Sequence, residues 1–166
     1  EKNTIKIKKY VDIIEERDAA AVITPGMLVE LTTADTVQAH SAAGQNASPT
    51  MFALEDELQG RDIDDNYAAA DKVQVWIPQR GEQVYAILAD GENVAIGDEL
   101  ESNGAGYLQK HTADVESFES AEPGAITVYP LQIVGIATEA VDLSDSSGGE
   151  SSGTLGYNKR IIIMIT

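Results

Sequence analysis

Ile5 and Ile7 alternate with Lys6 and Lys8, the period of a strand with one apolar and one basic face. Between Val11 and Val22, Ile13, Ile14 and the run Ala19 to Val22 make a short helix or a linker. Ile23-Thr24-Pro25-Gly26 is a turn signal. Met27 to Thr33 and Val37 to His40 read as strands joined by a hairpin at Ala34-Asp35. Ser41 to Ser48 is a small, polar loop. Pro49 to Gly60 reads two ways. Ser48-Pro49 and Gly60 are good helix punctuation, yet Met51-Phe52-Ala53-Leu54 equally suits a buried strand running into an acidic loop. Arg61 to Asp71 reads as an exposed loop. Val73, Val75 and Ile77 alternate with Gln74 and Trp76 in a strand that stops at Pro78, which puts Trp76 on the polar, outward face.

Gln79-Arg80-Gly81-Glu82 is a turn into a strand over Val84 to Leu88, closed by Ala89-Asp90-Gly91. Asp98 to Ser102 and Tyr107 to Lys110 form a hairpin around Asn103-Gly104-Ala105-Gly106. Thr112 to Gly124 is a long acidic loop. Ile126 to Val141 holds one long strand or two, with Gly135 as a bulge. Ser144 to Gly153 is a flexible Ser/Gly excursion. Arg160 to Ile165 is a near-continuous apolar run, typical of a strand buried on both faces. About nine short strands, with a turn every ten or so residues, point to an all-β barrel or sandwich. Ile23 to Glu30 and Val94 to Glu101 echo each other, each a hydrophobic residue, a glycine turn and a strand that includes a glutamate.

Composition narrows the function classes. The chain has 166 residues, 43% of them hydrophobic and only 5% aromatic, which makes one ordinary domain with enough apolar material for a core. It carries 28 acids against 11 bases, a formal net charge of -17. So acidic a surface repels nucleic acid and anionic lipid unless its bases cluster, so neither kind of partner is expected. No apolar run reaches the about 18 residues of a membrane helix, and the first residues lack the apolar core of a signal peptide. The sequence has no cysteine, which excludes disulfides, a thiolate nucleophile and cysteine-based zinc sites.

The bases do cluster at one place. Lys2, Lys6, Lys8 and Lys9 against Glu1 give the first ten residues +3, four lysines less one glutamate, in a chain of -17. One reading is a solvated edge strand whose lysines discourage aggregation. The other is a basic arm that docks on an acidic partner surface. The candidate partner-binding residues are therefore Lys2, Ile5, Lys6, Ile7, Lys8, Lys9 and Tyr10. The chain divides into an extended N-terminal arm and linker over residues 1–22 and a β-structured body over residues 23–166.

Candidate chemistry is thin. Gly149-Glu150-Ser151-Ser152-Gly153 matches the spacing of a nucleophile elbow, but it lies in a low-complexity stretch, and neither an acid nor a histidine follows it. Asp62, Asp64, Asp65 and Asn66 resemble the first half of a calcium loop, but Tyr67 and Val73 stand where glycine and glutamate are required. A looser calcium site with Glu55, Asp56 and Glu57 stays open beside the simpler reading of a solvated acidic loop. Gly104-Ala105-Gly106 lacks the third glycine and the helix of a dinucleotide loop. His40 and His111 have no partner cluster near them in sequence and read as ordinary surface or half-buried histidines. Trp76 is a packing residue under a loop or an interface contact. No catalytic residue, metal or cofactor is expected, and the chain reads as a non-enzyme.

Several segments, taken in order, carry a resemblance. They are Asn3-Thr4-Ile5-Lys6, Ala19 to Leu31, Asp65 to Val73, Ile77 to Leu88, Val94 to Leu100 and Ile133 to Asp142. In that order and texture they resemble the capsid decoration, or cement, proteins of tailed bacteriophages, over roughly Asn3 to Asp142. The resemblance implies a compact β-barrel or sandwich-like body with an extended N-terminal arm, a β-tadpole. It implies a homotrimer at three-fold and quasi-three-fold positions on the outer surface of the virion, assembled in the host cytoplasm. There such proteins bridge neighbouring major capsid proteins and stabilise the shell against the pressure of packaged DNA. The arm would add a strand to an exposed edge on the shell. The alternative is another β-structured virion or surface module, of tail, fibre or carbohydrate-binding type. Outward aromatics around an acidic groove would favour sugar binding, but the candidates Trp76, Tyr67, Tyr85, Tyr107, Tyr129 and Tyr157 are scattered in sequence.

Overall fold

The computed structural model describes residues 2–112, 129–145 and 160–166. Among them the chain is mainly β, with one short 3-10 turn, Glu57–Gln59. Strands β2 (Ile14–Ala19), β3 (Leu28–Leu31), β4 (Thr36–Ala39), β5 (Met51–Ala53) and β6 (Lys72–Trp76) close into a barrel in the order β2-β4-β3-β5-β6. A six-stranded sheet packs against it. Its strands are β1 (Lys6–Lys8), β7 (Gln83–Ile87), β9 (Glu99–Ser102), β10 (Leu108–Lys110), β11 (Ile133–Ala137) and β13 (Arg160–Ile165), in the order β1-β7-β13-β11-β9-β10. A two-stranded ribbon pairs β8 (Asn93–Val94) with β12 (Val141–Asp142). The sequence reading merges or misses several of these 13 strands, because the shortest are two or three residues long.

Two cores follow from the alternation of side chains along a strand. Val29, Met51, Ala53, Val73 and Val75 point into the barrel, with Ile23, Val37 and Tyr67. Their neighbours Leu28, Phe52, Leu54 and Trp76 point the other way, onto Val84, Ala86, Leu88, Ile161 and Ile163 of the six-stranded sheet. Strand β5, the start of β3 and the end of β6 are therefore buried on both faces. This corrects the placement of Trp76, which is fully buried and belongs to neither a polar face nor an outer surface. Alternation with Gln74 puts it on the far side of the strand from Val75, but that far side is a second core. β2, by contrast, faces solvent with Ile14, Glu15 and Glu16.

Other expectations resolve in the same terms. Val11 to Val22 is neither helix nor linker, since Ile14–Ala19 pairs with both β6 and β4. Of the two readings of Pro49 to Gly60, the buried strand holds: every residue of β5 is buried. Arg61 to Asp71 is not simply an exposed loop, because Ile63 and Tyr67 are buried in it. The Tyr67 hydroxyl donates to the Leu54 carbonyl at 2.8 Å, and burial pushes its pKa up to about 12. The hairpins at Ala34-Asp35 and around Asn103 to Gly106 form as expected. The echoed segments both turn at a glycine of positive φ, Gly26 at 91° and Gly97 at 93°, and lead into β3 and β9. Arg160–Ile165 lies inside the six-stranded sheet with only Met164 exposed. Gly135 sits where the β11–β9 register shifts, and a Cβ there would lie 2.7 Å from the Met164 carbonyl. All of the expected loop over Thr112 to Gly124 after Thr112 itself, the start of Ile126 to Val141, most of Ser144 to Gly153 with the Ser151 motif, and Tyr157 fall outside the described residues.

Candidate functional site

The candidate partner-binding residues do not form an arm standing away from the body. β1 pairs antiparallel with β7 at the rim of the six-stranded sheet, with Lys6 opposite Val84 and Lys8 opposite Gln83. Ile5 is fully buried and Ile7 packs against the same core. The physical reason is the alternation already visible in the sequence. The apolar face of the strand covers the chain's own core, and the basic face is left outside. Residues 5–19 thus contribute β1 to the six-stranded sheet and β2 to the barrel.

Two buried carboxylates hold this segment in place. The Ile5 N–H donates to both Glu55 oxygens at 3.3 and 3.2 Å. The N–H groups of Tyr10 and Val11 donate to Glu82 Oε1, and the Gln79 N–H donates to its Oε2. Glu82 is fully buried. Burial alone would raise its pKa, but the backbone donors of Gln79, Val11 and Tyr10 outweigh that and hold it below the ordinary glutamate value. Nothing in the sequence marks Glu55 or Glu82 for this work, since each sits in a polar stretch that reads as turn or acidic loop.

The outer face is mixed basic and apolar. Lys2 lies over the Tyr85 ring at 5.6 Å and Lys8 over the Tyr10 ring at 5.3 Å. Lys6 faces Asp12 at 3.6 Å, and Lys9 also pairs with Asp12. The Lys9 hydrogen bond is the main cause that draws the Asp12 carboxyl below its usual value, with Lys6 adding to it. Beside the lysines the candidate Tyr10 is 67% exposed, and it continues into an exposed apolar stretch that the sequence did not single out, Val11, Ile13 and Ile14. The outer side of β1 pairs with no strand among the described residues. An unpaired edge of this kind is a template for strand addition from another chain.

The remaining candidates are occupied by the protein itself. In the suspected calcium loop, Asp64 accepts from Arg160 at 3.0 Å, Asp62 and Asp65 accept backbone N–H groups of their own loop, and Asn66 accepts from Thr24. Arg160, inside a strand read as apolar, also donates to the carbonyls of Pro25 and Ile63. His40 is buried between Ser102 Oγ at 2.8 Å and the Asn46 carbonyl at 3.1 Å. His111 is half-buried, and its Nδ1 lies 2.6 Å from Glu101. The hairpin supplies the partner that the local sequence lacks. No family model matches this chain, and no curated protein matches it.

Proposed function

We propose that this chain is a capsid decoration protein, a structural component without catalytic activity on the outer surface of a phage virion. In this reading it binds the expanded shell, bridges major capsid proteins as a homotrimer, and is assembled in the host cytoplasm. The observation that carries it is the open edge of β1. Its lysines are concentrated in an otherwise acidic chain, and the exposed Tyr10, Val11, Ile13 and Ile14 adjoin it. A shell strand pairing along that edge gains main-chain hydrogen bonds, the lysines supply complementarity to an acidic rim, and the apolar run supplies buried area. Three edges in one trimer multiply a modest affinity by effective concentration. The order of segments from Asn3 to Asp142 and the mainly β body with a closed barrel are in keeping with this reading.

The test is co-sedimentation with expanded capsids that lack decoration protein, followed by imaging of the particles. Saturable occupancy at symmetric outer positions is expected. Reversing Lys6, Lys8 and Lys9 to glutamate should abolish it while leaving the thermal midpoint near that of the parent. Equal occupancy by the charge-reversed protein would remove β1 from the mechanism. No binding to shells with vacant sites would overturn the function.

A further inference from the structure

A cleft of about 280 Å³ lies between the 43–45 loop, β9, β10 and the segment that leads into β11. Its polar lining is Gln45, Glu101, Gln109, Thr112, Tyr129 and Gln132. These come from three stretches of the chain, the 43–45 loop, the β9–β10 hairpin with Thr112, and residues 129–132, and they converge on one carboxylate. The Glu101 side chain is only 9% exposed. Its Oε1 accepts from Gln109 Nε2 at 2.9 Å. Its Oε2 accepts from His111 Nδ1 at 2.6 Å and lies 3.5 Å from Gln132 Nε2. Gly44 leaves the flank of the carboxylate uncovered, since a Cβ there would lie 3.5 Å from Oε1.

The donor set indicates the ligand chemistry. No lysine or arginine lines the cleft among the described residues, and the nearby Lys110 is paired with Asp98 at 2.7 Å. An anion therefore finds a carboxylate and no cation. A purely apolar ligand would leave the amides and Glu101 without water or replacement bonds, at a cost. A carboxylate offers about four acceptor sites, of which the side chains here use up to three. The Gln109 amide, with one bond to Glu101, keeps a second N–H and a carbonyl, whereas the Gln132 nitrogen also lies 3.2 Å from His111 Nδ1. A ligand that both donates and accepts through every polar group, and that has an apolar face for an aromatic ring, meets all of these conditions.

We propose that this cleft binds a neutral saccharide. Adjacent sugar hydroxyls donate to Glu101 and accept from the Gln109 amide, and the Tyr129 ring lies against the C–H face of the sugar. The Glu101 carboxylate is already oriented by its three neighbours, so little ordering is left to be done on binding. This goes beyond the capsid reading and stands without it.

The probe is a panel of methyl glycosides of glucose, galactose, mannose and N-acetylglucosamine, titrated into the full chain and followed by NMR of the side-chain amides and of His111. At least one glycoside should shift the Gln45, Gln109, Gln132 and His111 resonances saturably, with a dissociation constant of about 1 mM, a value typical of a single small site. Tyr129→Ala and Gln109→Ala should each weaken that binding about tenfold. Tyr129 lies outside the strands, so its variant keeps the test decisive if Gln109→Ala lowers stability. No saturable shift with any of the four sugars would overturn the proposal. So would shifts of equal affinity in the Tyr129→Ala protein, or shifts confined to residues away from the cleft.

Discussion

Replacing Glu82 tests how the N-terminal segment is held. Its carboxylate accepts three backbone N–H groups, from Gln79, Tyr10 and Val11. A hydrogen bond to a charged group contributes about 1.5–3 kcal/mol. Two of the three donors belong to Tyr10, 67% exposed, and Val11, 49% exposed. Water re-solvates those N–H groups once the segment lifts, so their share is roughly halved, and the lower end of the range puts the net loss for Glu82→Ala at about 3 kcal/mol. For a chain of this size that lowers the midpoint of thermal unfolding by about 6–12 °C. Glu82→Gln keeps the shape and one carbonyl acceptor and should lose about half as much. Hydrogen exchange should show the loss first in the amides of residues 5–14, before the barrel core opens.

The pH dependence has a definite sign. The folded pKa of Glu82 lies below the ordinary value of 4.5, so folding favours its ionised form. The stabilisation is complete above the unfolded pKa and is lost as pH falls from there through the folded pKa. Denaturant unfolding of the parent and of Glu82→Gln, compared at neutral pH and below pH 4.5, should show the gap between them closing at the acid end. A gap that is the same at both pH values would refute the charged-clamp account. Equal stability at neutral pH would refute the role of Glu82 altogether.

Two further outcomes follow from the core. Gly135→Ala should cost about 2–3 kcal/mol, because the new Cβ meets main chain and not a flexible side chain; a change within about 0.5 kcal/mol in urea unfolding would show that β11 and β13 separate freely. Arg160→Met should cost about 3 kcal/mol by removing the donor to Asp64 and two buried carbonyls. Arg160→Lys should recover at most half of that, since one ammonium cannot reproduce the guanidinium fork; full recovery of the unfolding midpoint would count against the geometry.

Much of the local structure was legible in the order of residues alone. Period-two alternation located most strands, and the glycine turns before β3 and β9 and around Asn103 to Gly106 marked where they begin and end. The same alternation in Ile5 to Lys8 correctly made an apolar and a basic face. It could not say whose core the apolar face covers. That was decided when β7 presented an open edge beside a slot for Ile5, with Glu55 and Glu82 placed to accept the segment's N–H groups. Trp76 failed for a related reason. Alternation tells one face from the other, but both faces of β6 are interior at its Trp76 end once a sheet packs outside the barrel. The buried carboxylates and the Glu101–His111 pair left no local signal at all, because an acid that caps a distant N–H is written in the same letter as an acid in water. The sequence by itself determined the strands, the turns and the charge asymmetry, which depend on neighbours along the chain. The tertiary structure decided burial, partners and the cleft, which depend on residues brought together across it.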